Sequence, residues 1–374
     1  MKKIAVITFH ASDNCGSHLQ AYALQYVLRE KYNQDVTIID FSNLTQRQMY
    51  SVFVPVTCLR DVFRNILRFV LYPILKKEQV EFRKFWRFFN LTPKRYKTSK
   101  DLEELDGLYD IFVCGSDQVW NYKAGDYDDA YLLNFVHKST KVAYAVSMGQ
   151  AVLNDSSCHT KKYTNLLSDF SAISIREFKS QSMIQAITNL PVKICLDPTL
   201  LLDSHIYDEL MESKPLISGK YIFCYAFTYN AAFVKCVMKL SERLGMPVYM
   251  IDRKQNIING AGLKGIRLTP HTGTEAFLNI FKYATLIFTT SFHGTAFSVN
   301  FRKIFWYLNE TGDEGDGRAT SLLRQMGLMS RYVTPSEIAE IQNLMAPIDY
   351  SFTYDKLNSL RKESFDFIEK NIVL

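Results

Sequence analysis

One stretch limits what this chain can fold into more than any other: Thr285 to Phe305, TLIFTTSFHGTAFSVNFRKIF. Leu286-Ile287-Phe288 is an apolar run of β character, and Thr289-Thr290-Ser291-Phe292-His293-Gly294 reads as a tight turn. Ala296, Phe297, Val299 and Asn300 then continue at helical spacing. Strand, turn and helix in that order set backbone N–H groups and the positive end of a helix at the carboxyl edge of a sheet. Open α/β folds hold anionic ligands there. His293 stands at the mouth of the turn. A capping or core role would account for a lone histidine, but one held between Ser291 and Gly294 at a strand end turns a titratable proton toward a crevice.

A chain of 374 residues, 47% hydrophobic and 14% aromatic, carries more apolar material than one core usually holds, which predicts two domains. The N-terminal run after Lys2 and Lys3 reaches His10 and Asp13 too soon for a secretory signal and reads as a first strand. No apolar stretch is long enough to span a bilayer, so a cytoplasmic protein is expected. Seven cysteines lack the close spacing of a zinc or redox motif, and most lie in apolar strand-like runs and read as buried small hydrophobes, Cys114 in IFVCG and Cys195 in VKICL among them. No cluster at metal-ligand spacing is evident. The net charge of +6 is concentrated: Arg60 to Lys97 holds eleven Lys/Arg against Asp61, Glu78 and Glu81. No base-reading module accompanies that segment, so nucleic acid is not an expected partner. The sequence sets no oligomeric state.

In chain order, a first strand leads through His10-Ala11-Ser12-Asp13-Asn14-Cys15-Gly16-Ser17 into a helix over His18–Tyr32 and a strand over Val36–Phe41, a β-α-β unit. Asn14, Gly16 and Ser17 suit a turn that lets backbone N–H groups approach a ligand. Cys15 has His10 and His18 near it in sequence, but a loop cysteine without chemistry fits as well. The basic segment about 60–97 predicts a helix pair broken at Pro73, with Arg60, Arg64 and Arg68 on one face and Phe63, Ile66, Leu67, Val70 and Leu71 on the other. It is either a solvated helical insertion or a surface for an anionic membrane, as peripheral contact with the cytoplasmic membrane face.

Ile111 to Cys114 empties into Gly115-Ser116-Asp117-Gln118-Val119-Trp120-Asn121, hydrogen-bonding groups beside an aromatic platform, a combination that suits sugar hydroxyls. Turn chemistry and a packing tryptophan are the other account of Trp120. Further strands fall at Lys141–Gly149 and Ala172–Glu177. Arg176 at the second strand's end either aims its guanidinium at a crevice or makes a structural ion pair with Glu177 or Asp197. Ile194 to Leu202 reads as the last strand of a first domain, 1–203. The second domain, 204–350, repeats the α/β rhythm from a strand at Tyr221–Phe227 onward, and the closing helix in 351–374 is long enough to pack back on the first domain. Asn309 to Thr320, with Gly312, Gly315, Gly317 and Arg318, reads as a loop able to close over a site.

Taken in order, ITFH…NCGSHLQAYALQ, FVCGSDQVWN, YAVSMG, ISIRE, LDPTLLL, TTSFHGTAFSVNF and RATSLLRQMGL give a sequence that resembles the polysaccharide pyruvyl transferase family. The first loop carries Cys15 and Ser17 where family members commonly have Tyr and Ala. Ser291 stands where they tend to carry Arg, two positions before the motif histidine. The resemblance implies two Rossmann-like α/β domains in a glycosyltransferase-B-type arrangement with a cleft between them. It also implies pyruvyl transfer from phosphoenolpyruvate, a donor substrate and not a cofactor, to a sugar or lipid-linked saccharide, giving a ketal.

On that basis His293 is expected to move one proton and Asp117 or Asp197 the other. The donor phosphate is expected near the helix start at Ser291, Gly294 and Thr295, with Arg176 and Arg318, and the acceptor against Ser116, Gln118 and Trp120. Two alternatives share the scaffold: a nucleotide-sugar-dependent glycosyltransferase, and a non-catalytic carbohydrate-binding relative.

Overall fold

Runs such as KIAVI, IFVC and FSAISI are apolar at nearly every position, the pattern of strands buried on both faces, and they build two wholly parallel sheets. The computed structural model describes residues 1–154, 158–226, 229–253, 256–257, 262–309 and 317–374. These form two compact units, Met1–Tyr72 with Trp86–Leu201 and Ser359–Leu374, and Pro73–Phe85 with Leu202–Asn358.

The first unit begins β1 (Lys3–Ile7), α1 (Cys15–Tyr26), β2 (Asp35–Ile38), α2 (Leu44–Met49) and α3 (Leu59–Val70). After α4 (Tyr72–Lys84), most of which clusters with the second unit, come α5 (Ser99–Leu102), β3 (Ile111–Cys114), β4 (Thr140–Val146), α6 (Cys158–Leu167), β5 (Phe170–Ile175), α7 (Phe178–Gln185) and β6 (Val192–Ile194). The strands lie in the order β2-β1-β3-β4-β5-β6. The chain therefore leaves β1 toward one side and returns on the other. Ile7 pairs in register with Cys114, so the carboxyl ends of β1 and β3 are level where the order reverses. Phe112, Trp120, Tyr131 and Tyr163 are wholly buried in this unit's core.

The second unit continues with α8 (Ser204–Asp208), β7 (Ile222–Tyr225), α9 (Ala231–Leu244), β8 (Val248–Met250), β9 (Arg267–Leu268) and α10 (Gly273–Tyr283). It closes with β10 (Leu286–Thr289), α11 (Phe292–Asn300), β11 (Phe305–Leu308), α12 (Gly317–Met326), β12 (Tyr332–Val333), α13 (Pro335–Glu340) and α14 (Tyr350–Ile368). Its order is β12-β11-β10-β7-β8-β9, with Thr289 level with Tyr225 at the reversal. Phe233, Val237, Phe288 and Leu308 belong to its core.

Several expectations change in detail. The first helix starts at Cys15 and not His18, because the Asn14 side chain accepts from Ser17 N at 3.2 Å and caps it, placing Gly16 in the first turn. Ile194 to Leu202 is not one strand: β6 stops at Ile194, and Asp197 caps a 3-10 turn over Pro198–Leu200 through Thr199 N. The 60–97 segment divides between the two units, as does α14 at Asn358. Phe227, Gly312 and Gly315 lie outside the described residues. No helix among those described is long and apolar enough to cross a membrane.

Candidate active site

At the strand-order reversal of the first sheet, the loop after β1 and the loop after β3 meet. Ser17 Oγ donates to Asp117 Oδ2 at 2.7 Å, and Gln118 N donates to Asp117 Oδ1 at 2.8 Å. Gly115, just before, has φ +113°, and a Cβ there would collide with the Tyr144 carbonyl oxygen, so only glycine passes. Asp117 has φ +72°, a left-handed conformation that aspartate tolerates better than most residues. Ser147 N, donating to Asp117 O at 2.9 Å, holds it there. Such residues persist where surrounding structure enforces them, and they cluster at functional sites.

The network extends along the carboxyl ends of β5 and β6. Arg176, directly after β5, reaches Asp197 Oδ2 with Nη1 at 2.5 Å and Asp117 Oδ1 with Nη2 at 3.3 Å, and its Nε lies 3.8 Å from Glu177 Oε2. Asp197 Oδ1 also accepts from Thr199 N at 3.0 Å and Thr199 Oγ1 at 2.7 Å. Glu177 Oε1 accepts from Ser147 Oγ, Met148 N and Ser180 Oγ. Three carboxylates around one guanidinium, all buried, are offset in part by hydroxyl and amide donors to Asp117, Asp197 and Glu177 Oε1.

Of the residues expected from sequence, the fold thus joins Ser17, Ser116, Asp117, Arg176 and Asp197. Several do other work than expected. Trp120 is no sugar platform: its ring is wholly buried against Tyr163 and Phe170, and Nε1 donates to Tyr131 O at 3.0 Å. Ser116, also wholly buried, donates to Ala145 O at 2.5 Å and has no hydroxyl proton left for an acceptor. Asp197, 1% exposed, holds Arg176 through Oδ2 and caps the Pro198–Leu200 turn through Oδ1, which makes it a positioning residue. Arg176 in turn, 3% exposed, has both Nη atoms turned to the carboxylates of Asp197 and Asp117, the structural ion pair and not a phosphate contact. Gln118 accepts from Asn121 Nδ2 at 3.1 Å beside the Asp117 turn.

Two residues that the sequence reading passed over adjoin this network. Burial and the carboxylates of Asp126, Asp13 and Asp117 push the Tyr50 hydroxyl's pKa upward. Burial and Asp117 push the Asp126 carboxyl up as well. Burial and a neighbouring carboxylate both disfavour the charged form, which sets the Asp126 carboxyl apart from that of Asp117. Asp126 sits in the run DYDD, whose only signal was acidity.

The histidines near Cys15 are engaged elsewhere. His10 Nε2 lies 3.2 Å from Asp40 Oδ1, and Arg95 Nε donates to Asp40 Oδ2 at 3.0 Å. Trp86 Nε1 donates to His18 Nε2 at 3.4 Å; an indole N–H can only donate, so that ring nitrogen carries no proton. Burial, then nearby His10, depress the His18 pKa to about 3.

In the second unit the reversal lies between β7 and β10. Thr289 Oγ1 donates to Tyr225 O at 2.6 Å and accepts from Ser291 N at 3.0 Å, tying the turn to the neighbouring strand. Ser291 is the N-cap of α11, with Oγ 3.5 Å from Gly294 N. A side chain at Gly294 would run into Thr289, which is why the helix can start this close to the strand. Thr295 is wholly buried and its hydroxyl donates to Ser291 O at 3.1 Å, so that hydroxyl is a structural brace and not a phosphate ligand. His293 sits in the first turn of α11, 7% exposed, its ring edge-on to Phe292 at 5.2 Å. Arg318 occupies the first turn of α12, 8% exposed, and α12 packs against α11. Among the described residues no group of three or more His, Cys, Asp or Glu could hold a metal ion.

The model of the polysaccharide pyruvyl transferase family matches residues 14–310, which takes in Ser17, Asp117, Arg176, Asp197 and His293. The chain belongs to that family. No curated protein sequence matches it. Solved structures share the fold of this pyruvyl transferase family member at low identity. Staphylococcus aureus MnaA in complex with UDP has a TM-score of 0.57 at 11% identity, covering 100% of this chain and 98% of that one. The Neisseria meningitidis UDP-GlcNAc 2-epimerase bound to UDP-GlcNAc has a TM-score of 0.52 at 12% identity, covering 99% and 100%. A glycosyltransferase from Rickettsia africae has a TM-score of 0.51 at 11% identity, covering 99% of each chain. The fold class is therefore the glycosyltransferase-B one, two Rossmann-like α/β domains, and the family makes the chain a polysaccharide-modifying transferase.

Proposed function

We propose that this protein transfers a pyruvyl group from phosphoenolpyruvate to two hydroxyls of one sugar, in a surface polysaccharide or its lipid-linked precursor, forming a cyclic ketal. The observation that carries the reading is the family match, which spans the chemistry-bearing residues at both strand-order reversals.

The reaction balances as follows. The methylene carbon of the donor gains a proton and becomes a methyl group. The adjacent carbon takes two sugar oxygens in turn, its bond to the phosphate oxygen breaks, and the two hydroxyls each lose a proton. One of those protons is matched by the one gained at carbon; the other leaves with inorganic phosphate. His293 is the group assigned to proton delivery, at a helix start whose positive dipole end suits an anionic donor. Arg318 is the cation assigned to the donor. Asp117, oriented by Ser17, is the base for an acceptor hydroxyl. A nucleotide-sugar reading rests on fold likeness alone.

The test incubates protein with phosphoenolpyruvate and lipid-linked or nucleotide-activated hexoses and follows phosphate release. Release that depends on both acceptor and His293 supports the reading. A melting temperature raised by UDP-hexose and not by phosphoenolpyruvate, with no phosphate released, would replace it with the nucleotide-sugar one.

A further inference from the structure

Helix α3 is amphipathic the wrong way round for a helix packed on its own domain. Its polar positions face inward: Asn65 exchanges hydrogen bonds with both Val54 N (3.0 Å) and Val54 O (2.9 Å), and Arg68, 3% exposed, donates to Val52 O at 3.2 Å. Asp61 accepts from Thr57 Oγ1 at 2.7 Å and from Thr57 N and Cys58 N, closing the loop that precedes the helix. The apolar stripe faces out instead. Leu59, Phe63, Phe69 and Val70 are 79, 71, 72 and 70% exposed, and Val62 and Ile66 complete the i, i+3, i+4, i+7 row. Over twelve residues that stripe runs about 18 Å, a continuous apolar face that no element among the described residues covers.

The charge beside it indicates what covers it. From Asn43 to Tyr72 the chain carries Arg47, Arg60, Arg64 and Arg68 against the single carboxylate of Asp61. Arg60 and Arg64 flank the apolar row; Arg64 is half-exposed and only 3.7 Å from Asp61. Bulky apolar side chains bordered by arginines, on a helix too short to span a bilayer, match a helix that lies in the plane of a lipid surface. We infer that α3 docks this protein onto an anionic membrane surface, with Phe63, Ile66, Phe69 and Val70 entering the acyl boundary and Arg60 and Arg64 meeting lipid phosphates. The inference stands on α3 alone and does not depend on the reaction proposed above.

The experiment is co-sedimentation of the full chain with vesicles of phosphatidylcholine, and of phosphatidylcholine mixed with phosphatidylglycerol. Binding to the mixed vesicles, weakened by added salt, is expected. Phe63→Asp combined with Phe69→Asp is expected to lower it about tenfold or more, as is Arg60→Glu with Arg64→Glu. Both pairs should melt like the parent protein, since the altered side chains are exposed. Phe69→Trp should add emission that shifts to the blue with mixed vesicles only. Equal failure to bind either vesicle, or binding indifferent to both pairs of substitutions, overturns the inference. So does a concentration-dependent dimer, without vesicle binding, that Phe63→Asp dissolves: a second copy would then be the cover.

Discussion

Ser17 and Asp117, one hundred positions apart in the chain, are joined by a 2.7 Å hydrogen bond across the level carboxyl ends of β1 and β3. The reversal of strand order makes the two loops diverge in direction beyond that point, which is where open α/β sheets receive ligands. The bond fixes the rotamer of the carboxylate on which the Arg176 network and the acid–base assignment depend.

Ser17→Ala removes the hydroxyl donor from a carboxylate 5% exposed and should cost about 1–2 kcal/mol. Against Asp117→Asn, a double-mutant cycle by urea unfolding should return a coupling of about 1 kcal/mol. Strict additivity would show that the two side chains do not support one another.

Arg176→Met leaves the carboxylates of Asp117, Glu177 and Asp197 facing one another without their shared cation. A loss of about 3–5 kcal/mol is expected by chemical denaturation. Adding Asp197→Asn should cost less than the sum of the two single changes, because it removes one of the stranded charges.

The His18 pKa is depressed to about 3 in the fold, against 6.5 ordinarily. The folded state therefore favours the neutral ring. Its contribution is intact above pH ~6.5 and is lost as pH falls toward 3, with a slope of at most about 1.4 kcal/mol per pH unit. Comparing urea midpoints between pH 7 and pH 4, the parent protein should lose more stability than His18→Gln. Parallel curves would show that the ring is not held neutral.

His293→Gln should leave thermal unfolding nearly unchanged and reduce phosphoenolpyruvate-dependent phosphate release by about 10²–10⁴-fold, the range for losing a proton-transfer group. Activity within a factor of a few of the parent protein would assign the proton elsewhere.

Gly115→Ala combines an unfavourable φ of +113° with a collision against backbone, where nothing can swing aside. A loss above about 3 kcal/mol, or failure to fold, is expected. A near-neutral melting temperature would mean that the β3–β4 junction is looser than its packing indicates.

The strand-turn-helix at Thr285–Phe305 could be read directly because its determinants are local. An apolar run, Ser291 as a cap and Gly294 against Thr289 lie within a few positions of one another. The same holds for the first β-α-β unit, where only the Asn14 cap moved the helix start. Trp120 and Asp126 were opaque for the opposite reason. Whether an aromatic ring beside polar residues faces solvent or Tyr163 and Phe170, and whether an aspartate in DYDD sits near Asp117, depend on elements tens of residues away. Helix α3 misleads in a third way: periodicity reported its two faces, but not which one the protein would turn outward.

The sequence by itself determined the two parallel α/β units, the helix that begins at Ser291, and the family to which the chain belongs, since all three rest on short-range pattern or on motif order. Only the tertiary structure decided that Arg176 is neutralised by Asp117 and Asp197, that Ser17 orients Asp117, and that α3 shows its apolar face to solvent. Burial and charge pairing are set by which strand ends lie side by side, and a parallel sheet brings together residues that its crossover connections keep far apart along the chain.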